Sequence, residues 1–257
     1  MDLTSALLLG AAGIAGGTLA SLAGGAGLVT FPSLLAVGLS PVVASASNLA
    51  ALMPGSFLAA LTDRSQLPPL NRAFAGLVFA SVTGAAVGAA LLTVTSTRIF
   101  ELLVPLLLAF ATILFAYGDR ISAALRARSL ARHGREPQIK VTSIPMLLPV
   151  SVYGGYFGAG VGVLLLAVMS LATAGEYRPA NAAKNLVTAF NGLVAVFVFA
   201  AQGVINWPAT LVMMLGAMVG SQIGTRIARY APREVMRWVV IIIGLLLTAT
   251  YVWRYWL

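Results

Sequence analysis

The side chains that could do chemistry fall on two short stretches. In one, Asn181, Lys184 and Asn185 follow Arg178-Pro179, with Thr188 one turn on. Residues three and four apart share a helix face, so a cation and two amides stand together. In the other, Ser45, Ser47 and Asn48 follow Ser40-Pro41. Proline suits the first position of a helix, and a helix start carries about half a positive charge and free N–H donors. Cation, amides, hydroxyls and helix start together describe a pocket for an oxyanion. Other chemistries are poorly supplied. His133 is the only histidine and cysteine is absent, which disfavours histidine-based nucleophilic catalysis and histidine-ligated metal. The expectation is therefore no enzyme, no cofactor and no metal site. Asp2, Asp63, Glu101, Asp119, Glu136, Glu176 and Glu234 all fall at the ends of apolar segments or in loops, whereas proton relays and cation sites need carboxylates at membrane depth.

Plainer readings stand beside these. Lys184 lies near its helix start and could extend its ammonium to lipid headgroups. Ser45 and Ser47 could be small packing residues, the commoner role of serine in membrane helices. Asn48 and Asn185 favour a pocket, because a buried amide in lipid needs a partner.

The elements that must position these residues are membrane segments. Of the 257 residues 60% are hydrophobic and 9% charged, with a mean hydropathy of +0.95, where soluble domains carry about 25% charged residues. Ten apolar segments are readable, at 5–22, 28–37, 41–61, 72–94, 98–117, 143–157, 161–174, 179–201, 207–228 and 235–255. A crossing needs about 20 apolar residues. Segments 28–37 and 161–174 are too short for one and read as halves of broken helices or of re-entrant hairpins. Both adjoin glycine clusters: Gly24, Gly25 and Gly27 before Pro32, and Gly158, Gly160 and Gly162 in the second half. Glycine admits backbone angles closed to other residues and proline interrupts the helical ladder. Broken helix is tolerable at membrane depth only where the freed groups face protein or a water-filled cavity. Paired breaks in two halves are the best sequence pointer to a transporter site.

The halves superimpose in order. Gly25 and Gly27 fall on Gly160 and Gly162, Asn48-Leu49 on Asn185-Leu186, and Gly84 and Gly88 on Gly220 and Gly224, an internal duplication. Residues 1–117 and 142–257 form the repeats of a single membrane domain and 118–141 a basic linker. If that linker is cytoplasmic, counting crossings puts all but Arg98 and Arg254 of the 16 basic residues inside or at that boundary, as the positive-inside rule requires. Both termini are then periplasmic, and the two broken pairs enter from opposite sides. The net charge of +9 is explained by these loops without nucleic acid. Met1-Asp2-Leu3 lacks the basic start of a signal peptide, so the first segment is expected to stay in the mature protein.

From Gly16-Gly17 through the run 21–41 and on to Ala44-Ser-Ala-Ser-Asn48, the residues resemble the TauE/SafE family of membrane permeases, also described as sulfite exporters. The similarity covers nearly the whole chain. It implies transport of sulfur oxyanions or organosulfonates, such as sulfite or sulfoacetate, across the bacterial inner membrane. Combined with the residues, it leads to an all-α polytopic fold of two inverted repeats, each with a broken or re-entrant glycine-rich pair and three transmembrane helices. The substrate would be held by Gly24, Gly25, Gly27, Ser45, Ser47, Asn48, Gly158, Gly160, Gly162, Lys184 and Asn185. The expected partners are a small anion and the lipid bilayer. An anion channel with the same lining, an importer and a non-transporting scaffold stay open, as does the oligomeric state, a homodimer included.

Overall fold

The computed structural model describes residues 1–22, 24–69, 71–133, 144–173, 176–227 and 233–256. Its elements are α1 (Leu3–Leu22), α2 (Gly27–Ala36), α3 (Pro41–Thr62), α4 (Arg72–Val94), α5 (Thr97–His133), α6 (Ile144–Tyr156), α7 (Val161–Ala172), α8 (Tyr177–Ala201), α9 (Trp207–Ile227) and α10 (Arg233–Trp256), with a 3-10 turn at Arg64–Gln66. Local chemistry sets the starts. Ser40 is extended before Pro41. Asn71 and Asn206, at matching repeat positions, accept hydrogen bonds from the N–H groups of Phe74 (2.9 Å) and Ala209 (3.2 Å), the usual role of asparagine at a helix start.

α1, α3, α4, α8 and the first 22 residues of α5 are long and apolar enough to cross a membrane. α2, α6 and α7 have 10, 13 and 12 residues. At about 1.5 Å per residue they fall well short of the roughly 30 Å hydrocarbon core. The outer faces carry large apolar side chains, among them Phe79 (74% exposed) and Phe197 (68%), while the inside is filled by small ones such as Ala44, Ser45, Ala46 and Ser47. Water would aggregate such a surface; lipid suits it. The chain is a multi-pass membrane protein.

Lipid gives helices no hydrophobic reason to associate, so close packing of small residues does the work. α1 lies along α9, where a Cβ on Gly17 would sit 2.2 Å from the Ala217 carbonyl oxygen and one on Gly220 would sit 2.0 Å from that of Ile14. α6 lies along α4 in the same way: a Cβ on Gly88 would be 2.0 Å from the Val152 oxygen and one on Gly155 2.1 Å from that of Ala85. The first helix of each half therefore packs against the fourth helix of the other. Gly88→Ala and Gly220→Ala should each destabilise the protein by about 1–3 kcal/mol. Gly76→Ala, in open space inside α4, should stabilise it by about 0.5–1 kcal/mol. Thermal unfolding in detergent reads the opposite signs.

Two expectations are corrected. The segment read as ending at residue 117 continues as helix to His133, so the basic linker is helical over its first part. Ala123, Ala124, Leu125, Arg126 and Ala127 are strong helix formers, and charge, which ends a hydrophobic segment, does not end a helix. The rest of the linker with Arg135 and Lys140, the 174–175 connection, and the 228–232 connection with Arg229 and Tyr230 lie outside the described residues. Pro32, expected to interrupt the helical ladder, is accommodated inside α2; the break comes earlier, at Gly24.

Candidate functional site

The two breaks meet. A Cβ on Gly24 would lie 2.5 Å from the Cα of Gly162, and one on Gly27 would lie 2.7 Å from the Cα of Ala159. At the repeat spacing, Gly24 corresponds to Ala159 and Gly27 to Gly162, so the two contacts are the same contact with the halves exchanged. The glycines divide into two kinds. Gly24, Gly158 and Gly160 have φ of 83°, 79° and 76°, the left-handed region that favours glycine. Gly25, Gly27 and Gly162 do not, and serve close approach instead: a Cβ on Gly25 would lie 2.6 Å from the Phe115 ring. The expectation that Gly24, Gly25 and Gly27 all relax the backbone holds for Gly24.

The carbonyls freed at the breaks are answered by protein. The Tyr153 hydroxyl donates to Ala159 O at 2.6 Å. In the other half, three side chains of α8 close the end of α1: the Tyr177 hydroxyl donates to Leu22 O, Asn181 Nδ2 to Ser21 O at 2.8 Å, and Lys184 Nζ to Ala20 O at 2.7 Å. Ser45 Oγ donates in turn to Tyr156 O at 3.2 Å, at the end of α6. The end of α6 is thus closed by a side chain of α3, as the end of α1 is closed by side chains of α8.

Between the breaks lies a cavity of about 50 Å³. A water molecule needs roughly 10–15 Å³ on that measure, so the space suits a ligand of a few heavy atoms. The backbone lining comes from Gly24, Gly27, Gly158 and Gly162. Gly27 and Val161 are the first residues of α2 and α7, so the helix starts at the cavity are those of α2 and α7, and not those of α3 and α8 that the prolines suggested. α3 contributes Asn48, Met53 and Ser56, and α8 contributes Lys184, Asn185, Thr188 and Gly192.

Three of these side chains are under-used by the protein itself. Lys184 is 1% exposed, and among the described residues no carboxylate lies within 4.0 Å of its ammonium; the ion pair found among them is Arg178–Asp63, 3.3 Å apart. One of its three N–H donors is taken by Ala20 O. Asn48 is held by Thr30, whose hydroxyl donates to Oδ1 at 2.5 Å, and its Nδ2 has no partner. Thr188 Oγ is buried without a partner as well. A buried cation is costly unless paired, and buried polar atoms are nearly always hydrogen-bonded.

Of the residues expected from sequence, Gly24, Gly27, Asn48, Gly158, Gly162, Lys184 and Asn185 line this one cavity. Gly25 and Gly160 support the breaks, and a Cβ on Gly160 would lie 3.1 Å from Ala111. Ser45 holds α6, and Ser47 Oγ accepts the N–H of Asn206 at 3.0 Å at the start of α9. Ser56, Met53 and Gly192 were not anticipated as lining. The helical spacing of Lys184, Thr188 and Gly192, and of Asn48, Leu52 and Ser56, marks the two facing stripes.

A sequence profile described as Sulfite exporter TauE/SafE matches residues 9–251. The chain belongs to the TauE/SafE family. This TauE/SafE chain is 28% identical over 238 residues to a "Probable membrane transporter protein" of Haemophilus influenzae, covering 91% of its own length and 89% of that protein. It is 28% identical over 268 residues to the "Probable membrane transporter protein ORF9" of Sinorhizobium sp, with 98% and 96% covered. It is also 24% identical over 255 residues to the "Probable membrane transporter protein YfcA" of Escherichia coli K12, with 96% and 90% covered. No solved structure matches the chain. The TauE/SafE protein is a membrane transporter.

Proposed function

We propose that this transporter carries a small sulfur-containing anion, of the class of sulfite or a small organosulfonate, outward across the bacterial inner membrane by alternating access. The observation that carries the reading is a fully buried lysine with no carboxylate partner among the described residues, facing a cavity between two helix breaks where an amide N–H and a hydroxyl are also unpartnered. An anion would neutralise the first and bond to the others. The first turns of α2 and α7 add little, since the N–H groups of Leu28, Val29, Thr30, Val161 and Val163 already bond to carbonyls at the breaks. With the cell interior negative, each negative charge moved outward releases about 2.3 kcal/mol per 100 mV, so export needs no titrating side chain. The exchange of neighbours between halves, α1 on α9 and α6 on α4, supports two inverted repeats around the cavity. Rocking one against the other would open it to alternate sides.

Purified protein in thermal-shift measurements against sulfite, sulfate, thiosulfate, taurine and sulfoacetate tests the substrate class. Stabilisation by none of them defeats the reading. In vesicles, trans-stimulation by substrate on the far side distinguishes a carrier from a channel of the same lining. Two matched variants separate site from scaffold. Thr188→Val should weaken anion affinity about tenfold, the worth of one hydrogen bond, and leave the empty protein equally or more stable. Thr210→Val also removes a buried unpartnered hydroxyl, but outside the cavity lining. It should leave affinity unchanged.

A further inference from the structure

We infer that the site accepts a singly charged oxyanion of few heavy atoms and rejects a doubly charged one of the same shape. The inference rests on the anion-transport reading above and narrows it. Among the described residues the fixed charge at the cavity comes from Lys184 alone, for none of those lining it is acidic and no second lysine or arginine is among them. The helix ends do not add to it. A helix carries about +0.5 at its start and about −0.5 at its end, and at each break both kinds of end occur together. The end of α1 adjoins the start of α2, and the end of α6 adjoins the start of α7. The partial charges nearly cancel and one full positive charge is left.

The duplication sharpens the point. The repeat counterpart of Lys184 is Ser47, which is neutral and spends its hydroxyl on the N–H of Asn206. A symmetric site would have held two cations and matched a dianion; this one is matched to a monoanion. A dianion would bring an unbalanced charge among side chains that are themselves buried, and a buried uncompensated charge is strongly unfavourable. It would also give up a heavier hydration shell to enter. The cavity of about 50 Å³ acts in the same direction by excluding long substrates. Among sulfur anions this favours hydrogen sulfite over sulfite itself, and disfavours sulfoacetate, which carries a sulfonate and a carboxylate.

Methanesulfonate and sulfate make the test, because they are tetrahedral, of equal heavy-atom count and one charge apart; nitrate adds a smaller monoanion. Titration of each into the purified full chain in detergent should find methanesulfonate or nitrate bound at least about a hundredfold more tightly than sulfate. Sulfate binding as tightly as either monoanion overturns the inference and leaves the anion-transport reading standing. Binding of none of the three overturns both. In Lys184→Gln monoanion binding should weaken by about ten- to a hundredfold and the preference over sulfate should vanish. Its persistence would also overturn the inference, since the selecting charge would then lie elsewhere.

Discussion

Vesicles reconstituted with Lys184→Gln should show anion flux reduced by about ten- to a hundredfold, because a charge-assisted hydrogen bond is worth about 1.5–3 kcal/mol and each 1.4 kcal/mol is about tenfold. Glutamine is chosen because it keeps an N–H donor near Ala20 O, where the lysine donates at 2.7 Å, so the end of α1 stays closed. A buried charge without a carboxylate partner is a weak source of stability, and its replacement by a neutral group is often neutral or favourable. The variant should thus unfold at the wild-type temperature or above while losing the stabilisation that added anion provides. Those opposite movements would not arise from general damage to the fold. Flux equal to wild type would remove Lys184 from the site and leave it as a cap on α1.

Gly24→Ala should be among the most damaging single substitutions in the chain. Its φ of 83° costs an alanine about 1–2 kcal/mol. The new methyl carbon would also lie 2.5 Å from the Cα of Gly162, an overpacking worth about 1–3 kcal/mol more. Gly203→Ala isolates the first effect, since Gly203 has φ of 65° but nothing within 4 Å. The difference between the two unfolding midpoints measures how closely the breaks touch. Equal destabilisation would mean that the breaks do not meet in the folded protein.

Much of this architecture is legible in the residues because membrane segments announce themselves by length and composition. α4 begins at Arg72 and ends at Val94 and α9 begins at Trp207, as the apolar pattern indicates, and the paired glycine clusters lead to the cavity. The misreadings have physical causes. Hydropathy is blind to a helix that continues into water on alanine and arginine, hence the missed end of α5 at His133. A glycine's type does not disclose whether it is there for its backbone angle or for its missing side chain, so Gly25 and Gly27 look like Gly24. Ser45 and Ser47 share a helix with Asn48 and appear equally available, yet Ser45 bonds to the Tyr156 carbonyl and Ser47 to the Asn206 N–H. Only tertiary contacts distinguish them. The assignment of the helix starts was misled by Pro41 and Pro179, which mark α3 and α8 clearly. The starts that face the cavity, at Gly27 and Val161, carry no such mark.

The pairing of α1 with α9 also sets an order of events during synthesis. Everything between Leu22 and Trp207 must leave the ribosome before α1 can meet its partner, an interval of about 10–40 s at roughly 5–20 residues per second. Through that time the glycine face of α1, with Thr18 and Ser21, has only lipid or insertion machinery to rest against. α4 waits in the same way for α6. A nascent chain stopped before Trp207 should therefore be inserted but unassembled, with α1 open to cross-linking by a lipid-soluble reagent. Protection should appear abruptly once α9 has entered the bilayer.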